Sequence, residues 1–192
     1  MRIERLRLLD VPFTPWKNAA GHSRELCTWP RGAGIDAFAC RIAVATIAQD
    51  NPFSVFPGVL RQIMLLSGAG VRLRGGVSHD LVEPLTPFVF DGGLAVHAQV
   101  IAGATQEFNL LVRRGKADAD LSVWREAAQG TLSRHGLLMA WDGDWRINLP
   151  GAAHEPLSHG NVLIWHDASP GNVLRAEPRA AGEGALIVVQ VQ

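Results

Sequence analysis

The chain has 192 residues, of which 47% are hydrophobic and 19% are charged, and its 18 basic residues balance its 18 acidic residues. A balanced charge disfavours a nucleic-acid-binding surface, which needs an excess of lysine and arginine. Two cysteines without a CxxC pair, a charged N-terminus and no apolar run of membrane-spanning length predict a cytoplasmic protein without a signal peptide or a membrane segment.

Residues 2–10 predict a first strand, which nearby prolines interrupt. A polar loop follows, in which small residues lie among the hydrogen-bond donors Lys17, Asn18 and Arg24. Short loops of this composition often carry ligand contacts, although an ordinary surface turn has the same composition.

The central stretch, residues 38–73, predicts three strands separated by an irregular loop and a glycine turn. In its first strand, bulky apolar residues alternate with Arg41 and three alanines. An arginine among alanines indicates the wall of a hollow that contains a charge, because a buried arginine needs an anion or several acceptors. The alternative is an edge strand with Arg41 in solvent.

The loop at residues 51–58 contains two prolines and two phenylalanines, so it cannot be a central strand. It is typical of an apolar loop that closes over a site or fills the end of a barrel, with Phe53 and Phe56 in the apolar wall. Residues 117–130 fit either a helix or a strand.

Glycine and proline turns recur about every ten residues on both sides of this segment, which predicts an all-β fold. Further strands are predicted at residues 94–101, 107–113, 137–141, 145–149, 161–165, 173–176 and 186–191. The nearly continuous apolar run of the last strand needs cover on both faces, so we predict that it pairs with the first half of the chain.

Three motifs occur in order within residues 1–115, and together they resemble the signatures of the HutD/Ves family. They are Trp16-Lys17-Asn18 with Gly21 and Ser23-Arg24-Glu25, then Pro52-Phe53-Ser54 with Phe56-Pro57-Gly58 and Arg61, then Glu107-Phe108-Asn109-Leu110 with Arg113-Arg114-Gly115. The chain departs from the family pattern at Ala19 and Ala20, which stand in place of glycines and would restrict the backbone there.

The resemblance implies a bicupin, in which one compact chain of 192 residues forms two antiparallel β-barrels of the RmlC-like cupin type. The first barrel, at about residues 1–115, would hold the ligand pocket, and residues 116–192 would form a second, smaller barrel. The family is linked to histidine utilisation. A regulatory role through binding of a pathway acid such as formylglutamate or urocanate is implied for this chain.

The sequence lacks the usual signatures of a metal site or of a nucleophile. It has no HxH pair, which a cupin metal site needs, and no GxSxG motif, and neither cysteine has an evident histidine partner. We therefore predict no metal, no cofactor and no catalytic residue.

The remaining polar residues favour binding of a small organic acid, because the planar fork of arginine suits carboxylates and an asparagine orients an amide or formyl group. The predicted ligand-binding residues are Lys17, Asn18, Arg24, Arg41, Phe56, Arg61 and Asn109. Two alternatives stay open: a cupin enzyme acting on a small carboxylate metabolite, and an interaction module whose arginines pair internally with Glu25 and Glu107. The expected partners are a small acid and a second copy of the chain in a homodimer.

Overall fold

The computed structural model describes residues 1–16, 21–150, 152–180 and 184–192, with the backbone alone for residues 152–155. Within them the protein consists of strands, turns and one short 3-10 helix at Leu8–Asp10, without an α-helix. The predicted all-β class is therefore confirmed. In this part of the chain, no helix has the length and apolar character needed to cross a membrane.

The strands follow one another with short connections. They are β1 (Arg2–Arg7), β2 (Phe13–Pro15), β3 (Gly21–Trp29), β4 (Cys40–Ile47), β5 (Asn51–Pro52), β6 (Val59–Ser67), β7 (Val71–Gly75), β8 (His79–Leu81), β9 (Phe88–Asp91), β10 (Val96–Val100), β11 (Thr105–Arg113), β12 (Ala119–Trp124), β13 (Ala128–Thr131), β14 (His135–Asp142), β15 (Trp145–Leu149), β16 (Ala152–Leu157), β17 (Asn161–His166), β18 (Val173–Pro178) and β19 (Ala185–Val191).

The chain divides into two compact units, one of Pro12–Asp118 and one of Met1–Val11 with Ala119–Gln192. The boundary near residue 118 lies close to the predicted one at about residue 115. The first eleven residues, which the sequence assigned to the first barrel, group instead with the second unit, because β1 pairs with β17 along its whole length.

The Pro12–Asp118 unit contains two antiparallel sheets with an apolar core between them. The larger sheet has the order β2-β3-β4-β11-β6-β9, and the smaller has the order β5-β10-β7-β8. Ile63 and Leu65 of the larger sheet pack with Val71, Leu73 and other residues of the smaller sheet. The two sheets are hydrogen-bonded separately, so they form a sandwich rather than one closed barrel.

The second unit has the same plan. Its sheets have the orders β1-β17-β14-β19-β12 and β13-β18-β15-β16, and its core is built around the fully buried indoles of Trp145 and Trp165. The predicted pairing of the last strand with the first half of the chain is wrong, because β19 lies between β14 and β12. Those two neighbours belong to the second half.

Two segments whose secondary structure the sequence left open form strands of these sheets. The stretch 117–130, open between helix and strand, forms β12 and β13. The proline-rich loop contributes only the two-residue strand β5, which lies at the edge of the smaller sheet. Proline is tolerated there because an edge strand need not donate on both sides.

Candidate functional site

Strands β4, β11 and β6 are neighbours in the larger sheet of the Pro12–Asp118 unit, and their register places polar residues in rows on the face that carries the core. Alternate residues of a strand point to the same face, so every second row faces inward. The inward rows are Arg41-Leu111-Arg61, Ala43-Asn109-Ile63 and Ala45-Glu107-Leu65. The last row adjoins the apolar core, to which Leu65 belongs.

Arg41 lies on a central strand, so the alternative of a solvent-exposed edge does not apply. Its Nε donates a hydrogen bond of 2.7 Å to a carboxylate oxygen of Glu25 on β3. The Arg41 side chain is 17% exposed and that of Glu25 is 46% exposed. Among the described residues, the two terminal nitrogens of Arg41 have no hydrogen-bond partner. Glu25 thus holds the Nε side of the guanidinium and leaves the two terminal nitrogens available to a ligand.

Arg61 is held in a similar way by Asn109. Its Nε and one terminal nitrogen both donate to the side-chain oxygen of Asn109, at 3.1 and 2.6 Å. The guanidinium lies 4.0 Å from the ring centre of Phe53 and 5.6 Å from that of Phe90, both within cation–π range. Burial lowers the pKa of Arg61 to about 10, an effect that Glu107 opposes and Arg41 reinforces. Arg61 therefore remains charged at neutral pH.

Glu107 is the most enclosed acid of the site, with 0% of its surface exposed. Neither carboxyl oxygen has a hydrogen-bond partner among the described residues. The neighbouring Thr105 hydroxyl donates to the carbonyl of Ser67 at 2.8 Å. Burial raises the pKa of Glu107 to about 8, outweighing the lowering effects of Thr105 and Arg61. The carboxyl is thus largely protonated at neutral pH and is not the ion-pair partner that the sequence suggested.

Of the other predicted site residues, Arg24 and Phe56 lie in different parts of this unit. Arg24 pairs with Val44, so it lies on the opposite face of the sheet, where its guanidinium is 5.4 Å from the ring centre of Phe13. Phe56 packs edge-on against Phe38 at 6.2 Å, in the small apolar cluster that includes Leu111. Lys17 and Asn18 lie outside the described residues. The structure therefore brings together Arg41, Arg61 and Asn109, with Phe56 beside them.

Three further residues complete the site. The sequence predicted Phe53 in the apolar wall of the site without a contact to any one arginine, and it indicated Glu107 only as an ion-pair partner for arginines. Phe90 gave no signal, because its place over Arg61 depends on the pairing of β9 with β6. For Glu107 a signal existed, since it stands two residues before Asn109 on the same strand and must share its face.

The described residues offer little for metal or nucleophilic chemistry. No three His, Cys, Asp or Glu side chains among them lie together as a metal-binding group. His97 is exposed on β10. Cys40 is fully buried, and burial raises the pKa of its thiol to about 12, so that its thiolate is not available at neutral pH.

Comparisons with known proteins agree on one family. The HutD family model matches residues 9–188. Protein Ves of Citrobacter koseri is 31% identical over 168 residues, which cover 86% of this chain and 84% of that protein. An uncharacterized 21.2 kDa protein in the hutC 3' region of Pseudomonas putida is 38% identical over 112 residues, covering 57% of this chain and 58% of that one.

Solved structures give the same result for the fold. HutD from Pseudomonas fluorescens SBW25, in a formate condition, is 25% identical and superposes over the whole of both chains with a TM-score of 0.83. A Cupin 2 conserved barrel domain protein from Leptotrichia buccalis is 10% identical, with a TM-score of 0.59 over 98% of this chain and 96% of that one. At this identity the likeness shows the cupin fold alone.

Proposed function

Since this chain belongs to the HutD family, we propose that it binds a small organic acid in its Pro12–Asp118 unit and acts as a regulatory protein of histidine or amino-acid catabolism. Formylglutamate and urocanate are the first acids to consider. The link to histidine utilisation is supported by the names of two relatives, HutD and the protein of the hutC 3' region.

The observation that carries the binding proposal is the pair of arginines on the inward face of β4 and β6. Each guanidinium is fixed through its Nε by an inward acceptor, Glu25 or Asn109. The two cations are close enough for Arg41 to lower the pKa of Arg61. A carboxylate bound between them would relieve this repulsion and accept charge-assisted hydrogen bonds from their outer nitrogens.

The neighbours of the arginines fit a small ligand. Ala43 and Ala45 stand opposite Asn109 and Glu107 in the inward rows, where their short side chains themselves take up little space above the sheet. Phe53 and Phe90 give the guanidinium of Arg61 an apolar wall, which reduces the solvent screening of a bound anion. Such a site can bind an acid without transforming it.

Thermal unfolding tests this proposal. Formylglutamate or urocanate at about one hundred times its dissociation constant should add roughly 2.7 kcal/mol to the free energy of unfolding. For a chain of this size, that amounts to about 5–10 °C in Tm. The corresponding amides should shift Tm much less, because they cannot balance the partly desolvated arginines. The acid should be recovered unchanged by NMR, which separates binding from catalysis.

Matched variants locate the site. Arg41→Met and Arg61→Met retain most of the packing of the stem and remove the charge, so each should lose the acid-dependent shift in Tm. Arg72→Met, a change at an arginine that is 51% exposed on β7, should keep it. A shift that survives in both Arg41→Met and Arg61→Met would place the acid elsewhere, and no shift with any acid would favour a structural role for these arginines.

A further inference from the structure

Burial of the Glu107 carboxyl destabilises the folded protein. A buried polar group without a hydrogen bond destabilises the folded state, and an apolar side chain of similar size would avoid that cost. The inward neighbours of Glu107 in its row are Ala45 and Leu65, and neither side chain can form a hydrogen bond with it. Thr105, two residues earlier on β11, lowers the pKa of Glu107, but its hydroxyl donates to the carbonyl of Ser67, and both carboxyl oxygens are without a hydrogen-bond partner among the described residues.

Glu107 is placed where a ligand held by the arginines would reach. The guanidinium of Arg61 is level with Asn109, to which it donates two hydrogen bonds. Asn109 and Glu107 are two residues apart on β11, which separates their inward positions by roughly 7 Å along the strand. Arg61 and Glu107 also affect each other's pKa, so no great distance lies between their charged groups. An acid bound at Arg61 would therefore have to extend by roughly 7 Å to contact Glu107 as well.

Among the described residues, the charged groups that share the sheet face of Glu107 lie toward the arginines. Arg61 on β6, Arg41 on β4 and Glu25 on β3 share its sheet face. The smaller sheet presents apolar residues to this core, among them Val71, Leu73, Val96 and Ala98. A ligand with its carboxylate at the arginines would thus point its other end toward an acid in an apolar setting.

We propose that Glu107 is a specificity-determining residue, which accepts a hydrogen bond from an N–H or O–H group of the bound acid. This role rests on the proposed function. The site then selects acids that carry such a donor at a short distance from the carboxylate, and it discriminates against acids of the same shape that lack the donor. A buried acceptor left without its partner is the physical basis of such discrimination.

The test compares two acids that differ in a single donor, N-formylglutamate and N-formyl-N-methylglutamate. Titration calorimetry on the full chain should give the N–H compound at least a tenfold lower Kd. In Glu107→Met, which removes both oxygens at similar volume, the ratio of the two Kd values should fall to between one and two. Glu107→Gln retains an acceptor oxygen of the same reach and should restore most of the ratio. Glu107→Leu replaces the methionine variant if that one fails to fold.

Each outcome decides the question. A wild-type ratio near one overturns the role of Glu107, and so does a tenfold ratio that persists in Glu107→Met, which would reflect the bulk of the extra methyl group. If both acids bind through Arg41 and Arg61 with equal affinity, only this inference falls. If neither acid binds, this inference falls, and the proposed function falls with it only if urocanate also fails to bind.

Discussion

Burial raises the pKa of Glu107, and this shift makes the stability of the fold depend on pH. The pKa of Glu107 in the folded protein is about 8, well above its value in an unfolded chain. The folded state therefore holds a proton that the unfolded state releases. The contribution of this group to stability is complete below the unfolded pKa and is lost as the pH rises through about 8.

We expect Glu107→Met to remove this part of the pH dependence. Between about pH 4.5 and pH 8, the wild type should lose up to about 4 kcal/mol relative to the variant, because each unit of pKa difference is worth about 1.4 kcal/mol. Urea unfolding at a series of pH values measures the difference. Gln62→Met, which changes a buried polar side chain that carries no titratable group, is the matched control and should keep the wild-type profile. Parallel profiles for wild type and Glu107→Met would mean that Glu107 is ionised in the folded protein.

Alternation and turn residues predicted where strands lie along the chain, but they did not predict which strands pair with one another. Strand β15 was predicted with the bounds that the structure has, because apolar alternation and the turns on either side define it locally. The partners of β19 were predicted wrongly, since a nearly continuous apolar run shows that both faces are covered but not by which strands. Pairing over long sequence separation leaves no local pattern.

The same limit applies to the site. Alternation within one strand was enough to set Arg41 against the bulky face of β4, and to put Asn109 and Glu107 on one face of β11. The face on which Arg24 lies depends on how β3 pairs with β4, and that pairing contains a register shift between Glu25 and Cys27. Residues that meet only through sheet register, such as Phe90 and Arg61, could not be joined from the sequence.

Strand β14 contains a glycine whose small size is required by its neighbours. A Cβ at Gly136 would overlap the ring of Trp165 and the carbonyl of Val189. Trp165 cannot easily give way, because it is fully buried and its indole donates to the carbonyl of Ser133 at 3.0 Å. We expect Gly136→Ala to lower the free energy of unfolding by about 2–3 kcal/mol, which the urea midpoint measures.

The control for this prediction is another glycine changed in the same way. A Cβ at Gly34 meets no atom within 4 Å, so Gly34→Ala should unfold close to the wild-type midpoint. If both variants unfold at the same urea concentration, the packing of β14 against Trp165 is looser than the structure indicates.

In the molecule as a whole, the first strand belongs to the unit that is otherwise formed by the last part of the chain. Strand β1 lies at the edge of its sheet and covers β17 from Arg2 opposite His166 to Arg7 opposite Asn161. Deletion of residues 1–7 should leave amides of β17 without partners, and their hydrogen exchange should accelerate at least tenfold.

Acid binding should survive this deletion, because Arg41, Arg61 and Glu107 all lie within Pro12–Asp118. Exchange mass spectrometry and calorimetry on one preparation check both results. Unchanged protection of β17 after the deletion would show that β1 contributes little to the sheet.

The pairing of β1 with β17 also fixes an order of events during synthesis. Strand β1 precedes the segment Pro12–Asp118 in the chain, whereas its partner β17 follows that segment. The strands of Pro12–Asp118 are complete much earlier, and domains generally fold as units while synthesis continues. Strand β1 therefore stays without its partner until the strands of Pro12–Asp118 have been synthesised, and its pairing with β17 is a late step of folding.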